Sequence, residues 1–324
     1  MIHLLRRALP TLALLIAAPL ASAQGVAYVS SEKDHALTVI DLKTMAVTGT
    51  VATCRRPRHL QVSPDRKTLL VACGESAQAD LIDLATRQSL RKLPLGDDPE
   101  IFDLSPDGKT LYVSNEEAAE IGIIDVASGQ RRGAIKVGEE PEGVKISPDG
   151  KTLYVTSEVA SLVHVIDVAG AKVVKNIVVG KRPRRLAMTP DGGQLWVSNE
   201  LDASVTVIDT KTQAVVDTVK FAVKGARAAD ITPVGIMISR DGRRAFVALG
   251  KANHVAFVDV ASRKTTDLVL VGRRAWGLGL DKAEKTLYVV NGLSDDLSVV
   301  DVASAKATKT VQVGRVPHSV VVVE

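Results

Sequence analysis

The chain has 324 residues, of which 3% are aromatic, 24% are charged and two are Cys, with a formal charge of +4. So few aromatics leave few platforms for stacked bases, and setting aside the leader residues Arg6 and Arg7 leaves 39 basic against 37 acidic residues, so a nucleic-acid-binding role is excluded. Two Cys exclude a disulfide scaffold, although an oxidising compartment permits one bond.

Residues 1–23 read as an export leader: the Arg6-Arg7 pair, an apolar run over 8–20, and Ala21-Ser22-Ala23 as a cleavage signature before Gln24. The run is too short to span a bilayer, and no Cys follows to take a lipid. A soluble, periplasmic, monomeric protein is expected, with residues 24–324 as one domain.

From there the chain repeats. The Asp that closes each V-I-D or V-V-D triplet recurs at Asp41, Asp83, Asp125, Asp167, Asp209, Asp259 and Asp301, with spacings of 42, 42, 42, 42, 50 and 42. Pro57, Pro99, Pro141, Pro183, Pro233, Ala275 and Pro317 keep the same steps. Within the unit opening at Pro141, Val-, Ile- and Leu-rich runs predict strands over 142–147, 152–157, 162–168 and 172–179. Ser147-Pro148-Asp149-Gly150 supplies the turn between the first two, because Pro presets φ, Asp bonds its own backbone and Gly takes the left-handed region. Seven four-stranded units predict an all-β, seven-bladed β-propeller. VAYVSSE aligns with a second strand and residues 318–324 with a first strand, so the two termini share blade 1 and close the ring.

YVSNE, YVTSE and YVVNG, each after an SPDGKTL-type turn and before V-I-D, resemble the YVTN-type β-propeller repeats. GDDPEIF, EPEGV, the insertion before Pro233 and FVALGKANHVAFVD are similar to the PQQ-dependent catabolism-associated β-propeller proteins across the mature chain. The resemblance implies periplasmic alcohol oxidation by quinoproteins as the setting, and no established activity. It implies no bound PQQ either: the dehydrogenases that hold PQQ carry a Trp-docking motif in each of eight blades, and here only Trp196 and Trp276 exist.

What every blade has is construction, so a site must break the symmetry. Strand direction places the Pro loops and the ends of the second strands on one rim. The position after each Pro reads Arg58, Glu100, Glu142, Arg184, Val234, Trp276 and His318. Acidic residues mark blades 3 and 4, whereas Arg55, Arg56, Arg58, Arg273, Arg274 and Arg315, with Trp276 and His318, form a basic arc over blades 7, 1 and 2. One reading is solvated turn charge; the sharper one is a site for a small anionic ligand or an acidic periplasmic partner.

Further candidates are open. Glu32, Glu116, Glu158 and Glu200 form an acidic crescent at which Ca²⁺ is a low-ranked option. His59 and His318 begin adjacent first strands, which raises a haem or metal site like that of the haem d1 carriers, without a Cys-x-x-Cys-His motif to support it. No catalytic motif and no committed metal ligand emerges; a lactonase-like propeller enzyme would use Glu100, Glu142 and His318. Cys54 and Cys73 approach each other in blade 2 as a possible disulfide. The segment 224–231 reads as a mobile loop, a lid or docking tongue on the same rim.

Overall fold

A computed structural model describes residues 25–324; the leader and its cleavage site lie outside them. Seven four-stranded antiparallel sheets form the ring. In blade 4 the strands are Pro141–Ile146, Thr152–Ser157, Leu162–Asp167 and Lys172–Val178, within a residue or so of the spans read from the apolar pattern. Blade 1 is shared between the termini: Pro317–Val323 pairs antiparallel with Val26–Ser31 and supplies its inner strand, so all seven blades have four strands. Among the described residues no helix is long and apolar enough to cross a membrane.

The core is not one mass. Seven apolar clusters each fill the space between two neighbouring blades, because successive side chains of a strand point to opposite faces of its sheet. Leu69 and Val71 pack toward blade 1, while Leu70 and Ala72 on the same strand pack toward blade 3.

The repeated polar residues hold the turns. The Asp closing each third strand accepts the backbone N–H of a residue three places on, from Thr44 to Asp41 through to Ser304 to Asp301. In blade 4 the Ser147 hydroxyl donates to Asp149 and accepts the Thr152 N–H, fastening the first hairpin. Blade 7 lacks that motif, and Asp281 takes the place of Ser by accepting the N–H groups of Lys285 and Thr286.

Cys54 and Cys73 are joined by a disulfide with Cα atoms 5.8 Å apart. The insertion before blade 6 is a surface loop over residues 224–230, as expected, anchored at both ends. Phe221, Val223 and Ile231 are buried in the cluster between blades 5 and 6 on either side of the loop, and Ala228–Asp230 forms a 3₁₀ turn within it. The insertion shortens the first strand of blade 6 to Ile236–Ile238.

Candidate functional site

The site begins with an irregularity in the innermost strands. Pro57 pairs with Cys73, yet the next pair is Leu60 with Val71, so three steps on the first strand match two on the second. The same bulge follows Pro99, Pro141, Pro183 and Ala275. A bulge leaves one residue unpaired and re-aims its neighbours. Hydroxyls of the previous blade fasten the segment after the Pro: Ser30, Ser114, Thr156 and Ser198 donate to the carbonyls of Arg58, Glu142, Arg184 and Val234, respectively. Those hydroxyls are the Ser or Thr of the repeated second-strand motif.

In every blade but the sixth, whose inner strand Ile236–Ile238 has a regular register, the bulge turns the residue after the Pro, or after Ala275, into the ring. Arg58, Glu100, Glu142, Arg184, Val234, Trp276 and His318 are all buried, none more than 7% exposed. Sequence position on a rim loop had suggested a solvated mouth; the geometry gives an enclosed ring. Its charges are interleaved. Arg58 pairs with Glu100 and lies 3.7 Å from Glu32, while Arg184 pairs with Glu158 and lies 3.5 Å from Glu142 and 3.7 Å from Glu200. Arg185 pairs with Glu142 and reaches across the channel to donate to His318 Nε2 at 3.2 Å. Since Arg can only donate, His318 is a neutral imidazole there, and its Nδ1–H faces Ser319 Oγ at 3.0 Å.

These contacts set the protonation states. Burial alone would raise Glu142, but the guanidiniums of Arg184, Arg185 and Arg58 hold it at about 2. Against the cost of burial, Glu142, Glu158 and Glu200 hold Arg184 above the usual arginine range. Burial, and then the Arg185 charge, bring His59 down to about 3; burial and Arg58 keep His318 well below the usual histidine range. Glu158 is pushed up to about 7 by burial and by the Glu142 charge, although Arg184 and Arg182 act against the shift.

Two cavities flank this ring, and Trp276 and His318 line both. The mouth pocket, about 170 Å³, is faced by Arg56, Arg58, Arg184 and Arg274 with Glu32 at its edge. The guanidinium carbons of Arg274 and Arg184 lie 4.2 and 5.4 Å from the Trp276 ring centroid, which holds the indole between two cations. Trp276 Nε1 is a buried donor with no acceptor; Arg58 Nε and Arg184 Nε make no hydrogen bond either, but each lies 3.7 Å from a carboxylate oxygen, of Glu32 and Glu200 respectively. The channel cavity, about 260 Å³, is lined by His59, Gln61, Asp103, Lys145, Arg185 and Met237, among others. There Gln61 and Lys145 both donate to Asp103 at 2.8 Å.

The structure thus divides the sequence candidates. Arg56, Arg58, Arg274, Trp276 and His318 converge on the mouth pocket, and Arg184 joins them from the opposite side. Arg55 and Arg315 turn outward to Glu75 and Asp34, and Arg273 is exposed. Glu100 and Glu142 serve as counter-ions inside the ring. In the crescent, Glu32, Glu158 and Glu200 are engaged by Arg56, Arg58, Arg182 and Arg184, while Glu116 faces Asp98 and Glu100 instead. His59 and His318 both line the channel cavity, and His59 packs edge-on against Phe102. Arg185, Lys145 and Asp103 were not singled out from the sequence. Comparing the blades two residues after the Pro would have exposed Arg185, because Gly143, Gly235 and Gly277 stand at that position elsewhere. A Cβ on Gly235 would come within 2.0 Å of the Trp276 carbonyl oxygen, so that position carries a side chain only where the neighbouring strand permits.

The comparisons bear mainly on architecture. Its structural relatives are β-propellers. A Kuenenia stuttgartiensis hydrazine synthase chain matches with a TM-score of 0.77 at 25% identity, covering 85% of this chain and 92% of that one. A chain assigned as a 6-phosphogluconolactonase from Bacteroides uniformis matches with a TM-score of 0.77 at 15% identity over 93% of this chain and 99% of its own. The dihydro-heme d1 dehydrogenase NirN matches with a TM-score of 0.68 at 16% identity over 96% of this chain and 77% of its own. The Choice-of-anchor I domain model matches residues 159–316, which run from the end of the second strand of blade 4 through blade 7. No curated protein matches the sequence.

Proposed function

We propose that the protein is an exported, non-catalytic propeller that binds a small carboxylate- or phosphate-bearing ligand in the mouth pocket. The observation that carries this reading is the convergence of four guanidiniums and Trp276 on one small pocket, where Arg274 makes no ion pair among the described residues and the buried Trp276 N–H has no acceptor. A buried donor without a partner costs about 1–3 kcal/mol, which an arriving anion recovers by supplying acceptors. At ~30 Å³ per water the pocket holds about six waters, the size of a small di- or tricarboxylate. An acidic partner side chain inserted at the mouth satisfies the same chemistry.

The protonation states favour binding over acid–base catalysis. A carboxylate held at about 2, as Glu142 is, makes a weak general base near neutrality. Glu158, at about 7, has the tuning of a catalytic acid or base but lines neither cavity beside the ring. The partial Choice-of-anchor I match supports a surface or secreted setting. The likeness of the repeats to PQQ-associated propellers adds a finer setting, an accessory role in periplasmic quinoprotein oxidation.

Arg274 makes no ion pair among the described residues, so Arg274→Ala removes a ligand contact at little cost to the fold. Calorimetric titration with oxalate, malonate, citrate, phosphate and PQQ is expected to show one-site binding of at least one of them by the wild type. Loss of a charge-assisted contact worth about 1.5–3 kcal/mol weakens it about tenfold or more in the variant. No binding across the panel, or equal binding by both proteins, refutes the reading; turnover of a lactone panel refutes its non-catalytic part.

A further inference from the structure

Blade 3 carries a second cluster, distinct from the arginine pocket. Asp98 precedes the Pro of the first strand and has a left-handed φ of 41°. Glu100 follows that Pro at the bulge. Glu116 ends the second strand, and its N–H donates to the Asp98 carbonyl at 3.3 Å, which ties the two segments together. One carboxylate oxygen from each of the three lies within 4.8 Å of the others.

Two further observations point to a ligand. Glu100 is only 1% exposed, and its Oε2 is buried without a hydrogen-bond donor, while its other oxygen faces Arg58. Buried carboxylate oxygens are ordinarily satisfied. The local charge is also unbalanced: Glu32, Asp98, Glu100 and Glu116 share only Arg56 and Arg58 within ion-pair distance. Two negative charges remain without a cation in ion-pair distance among the described residues.

We propose that Asp98, Glu100 and Glu116 form a site for a hard divalent cation of the Ca²⁺ type. All three donors are carboxylate oxygens, with no imidazole or thiolate in the cluster to favour a softer metal. Ligands about 2.4 Å from a Ca²⁺ ion stand up to about 4.8 Å apart, which is the spread available here. Two charges on the ion match the local excess, and water completes the coordination. The site adjoins the arginine pocket, since Asp98 and Glu100 pair with Arg56 and Arg58, but its ligands are carboxylates of blade 3 and calcium binding is read separately from anion binding.

Full-length mature protein, freed of metal by chelation and dialysis, is titrated with CaCl₂ by calorimetry, and its melting temperature is followed in parallel. One site with a Kd on the order of 10⁻⁴ M and a rise in melting temperature are expected, as for other extracellular calcium sites. Glu116→Gln should weaken binding about tenfold or more by removing one ligand charge. Should that variant fail to fold, Asp98→Asn provides the same comparison at a partly exposed residue. No saturable binding by the wild type up to about 10 mM CaCl₂, or affinity unchanged in the folded variant, overturns the proposal.

Discussion

Glu142 is where the buried charges of the ring meet: it pairs with Arg185 and lies 3.5 Å from Arg184. Replacing it with Gln leaves the buried Arg185 guanidinium without a carboxylate, while Arg184 keeps Glu158 and Glu200, and breaking such a buried pair costs about 3–5 kcal/mol. Urea unfolding of Glu142→Gln should show a loss of that order. The sign of its pH dependence follows from a folded value of about 2 against an ordinary 4.5. Its stabilisation is present above about pH 4.5 and is lost as pH falls toward 2. Glu158 has the opposite sign. Raised to about 7, it favours the protonated form in the fold, so its contribution declines as pH rises from about 4.5 to 7. In Glu158→Gln, melting temperature measured across that window should decline less steeply than in the wild type. At this scale the sequence was informative about identity and silent about depth. Self-alignment singled out Arg58, Glu142, Arg184, Trp276 and His318 as departures from symmetry, but nothing in the pattern marked them as buried.

The element that hid the depth is the bulge at the start of the inner strand in every blade but the sixth. A left-handed residue precedes it, and in blades 2, 4 and 5 a hydroxyl reaches over from the previous blade to fasten it. The left-handed positions are Arg56, Asp98, Glu140, Arg182, Arg274 and Val316, none of them Gly, so the usual sequence signal for positive φ is missing. By contrast the strands, the Ser-Pro-Asp-Gly turns and the closing Asp residues were legible because each follows from local propensity and turn chemistry. The composition of residues 224–231 marked the insertion as a surface loop, but not that Phe221, Val223 and Ile231 would anchor it in the cluster between blades 5 and 6. The Cys54–Cys73 bond closes a loop with a sequence separation of 19. Chain entropy for a loop of that length predicts a loss of about 3 kcal/mol when it is removed. Chemical denaturation of the Cys54→Ala/Cys73→Ala protein should show that decrease, with blade 2 still folded.

At the scale of the whole molecule, seven nearly equivalent blades build an unequal channel. Blades 2 to 5 bring long charged side chains to the ring, while blades 6 and 7 bring Val234, Gly235, Gly277 and Gly279. The open space therefore lies beside Trp276, between arginines that arrive from blades 2, 5 and 7. Closure of blade 1 by Pro317–Val323 places His318 next to that space, so one strand both completes the ring and contributes to the site. The repeat period made the ring legible from sequence, but not the direct approach of Arg184 and Arg185 to Trp276 and His318 across the channel. The chain has only two Trp residues: Trp276 in the mouth pocket, and Trp196 fully buried between blades 5 and 6. Fluorine NMR of protein labelled with 5-fluorotryptophan therefore gives one resonance inside the proposed site and one reference resonance outside it. Titration with the organic acids, phosphate and PQQ should shift the Trp276 signal saturably for at least one ligand and leave Trp196 unmoved; an unmoved Trp276 signal throughout, or equal shifts of both, would contradict an anion site at the mouth.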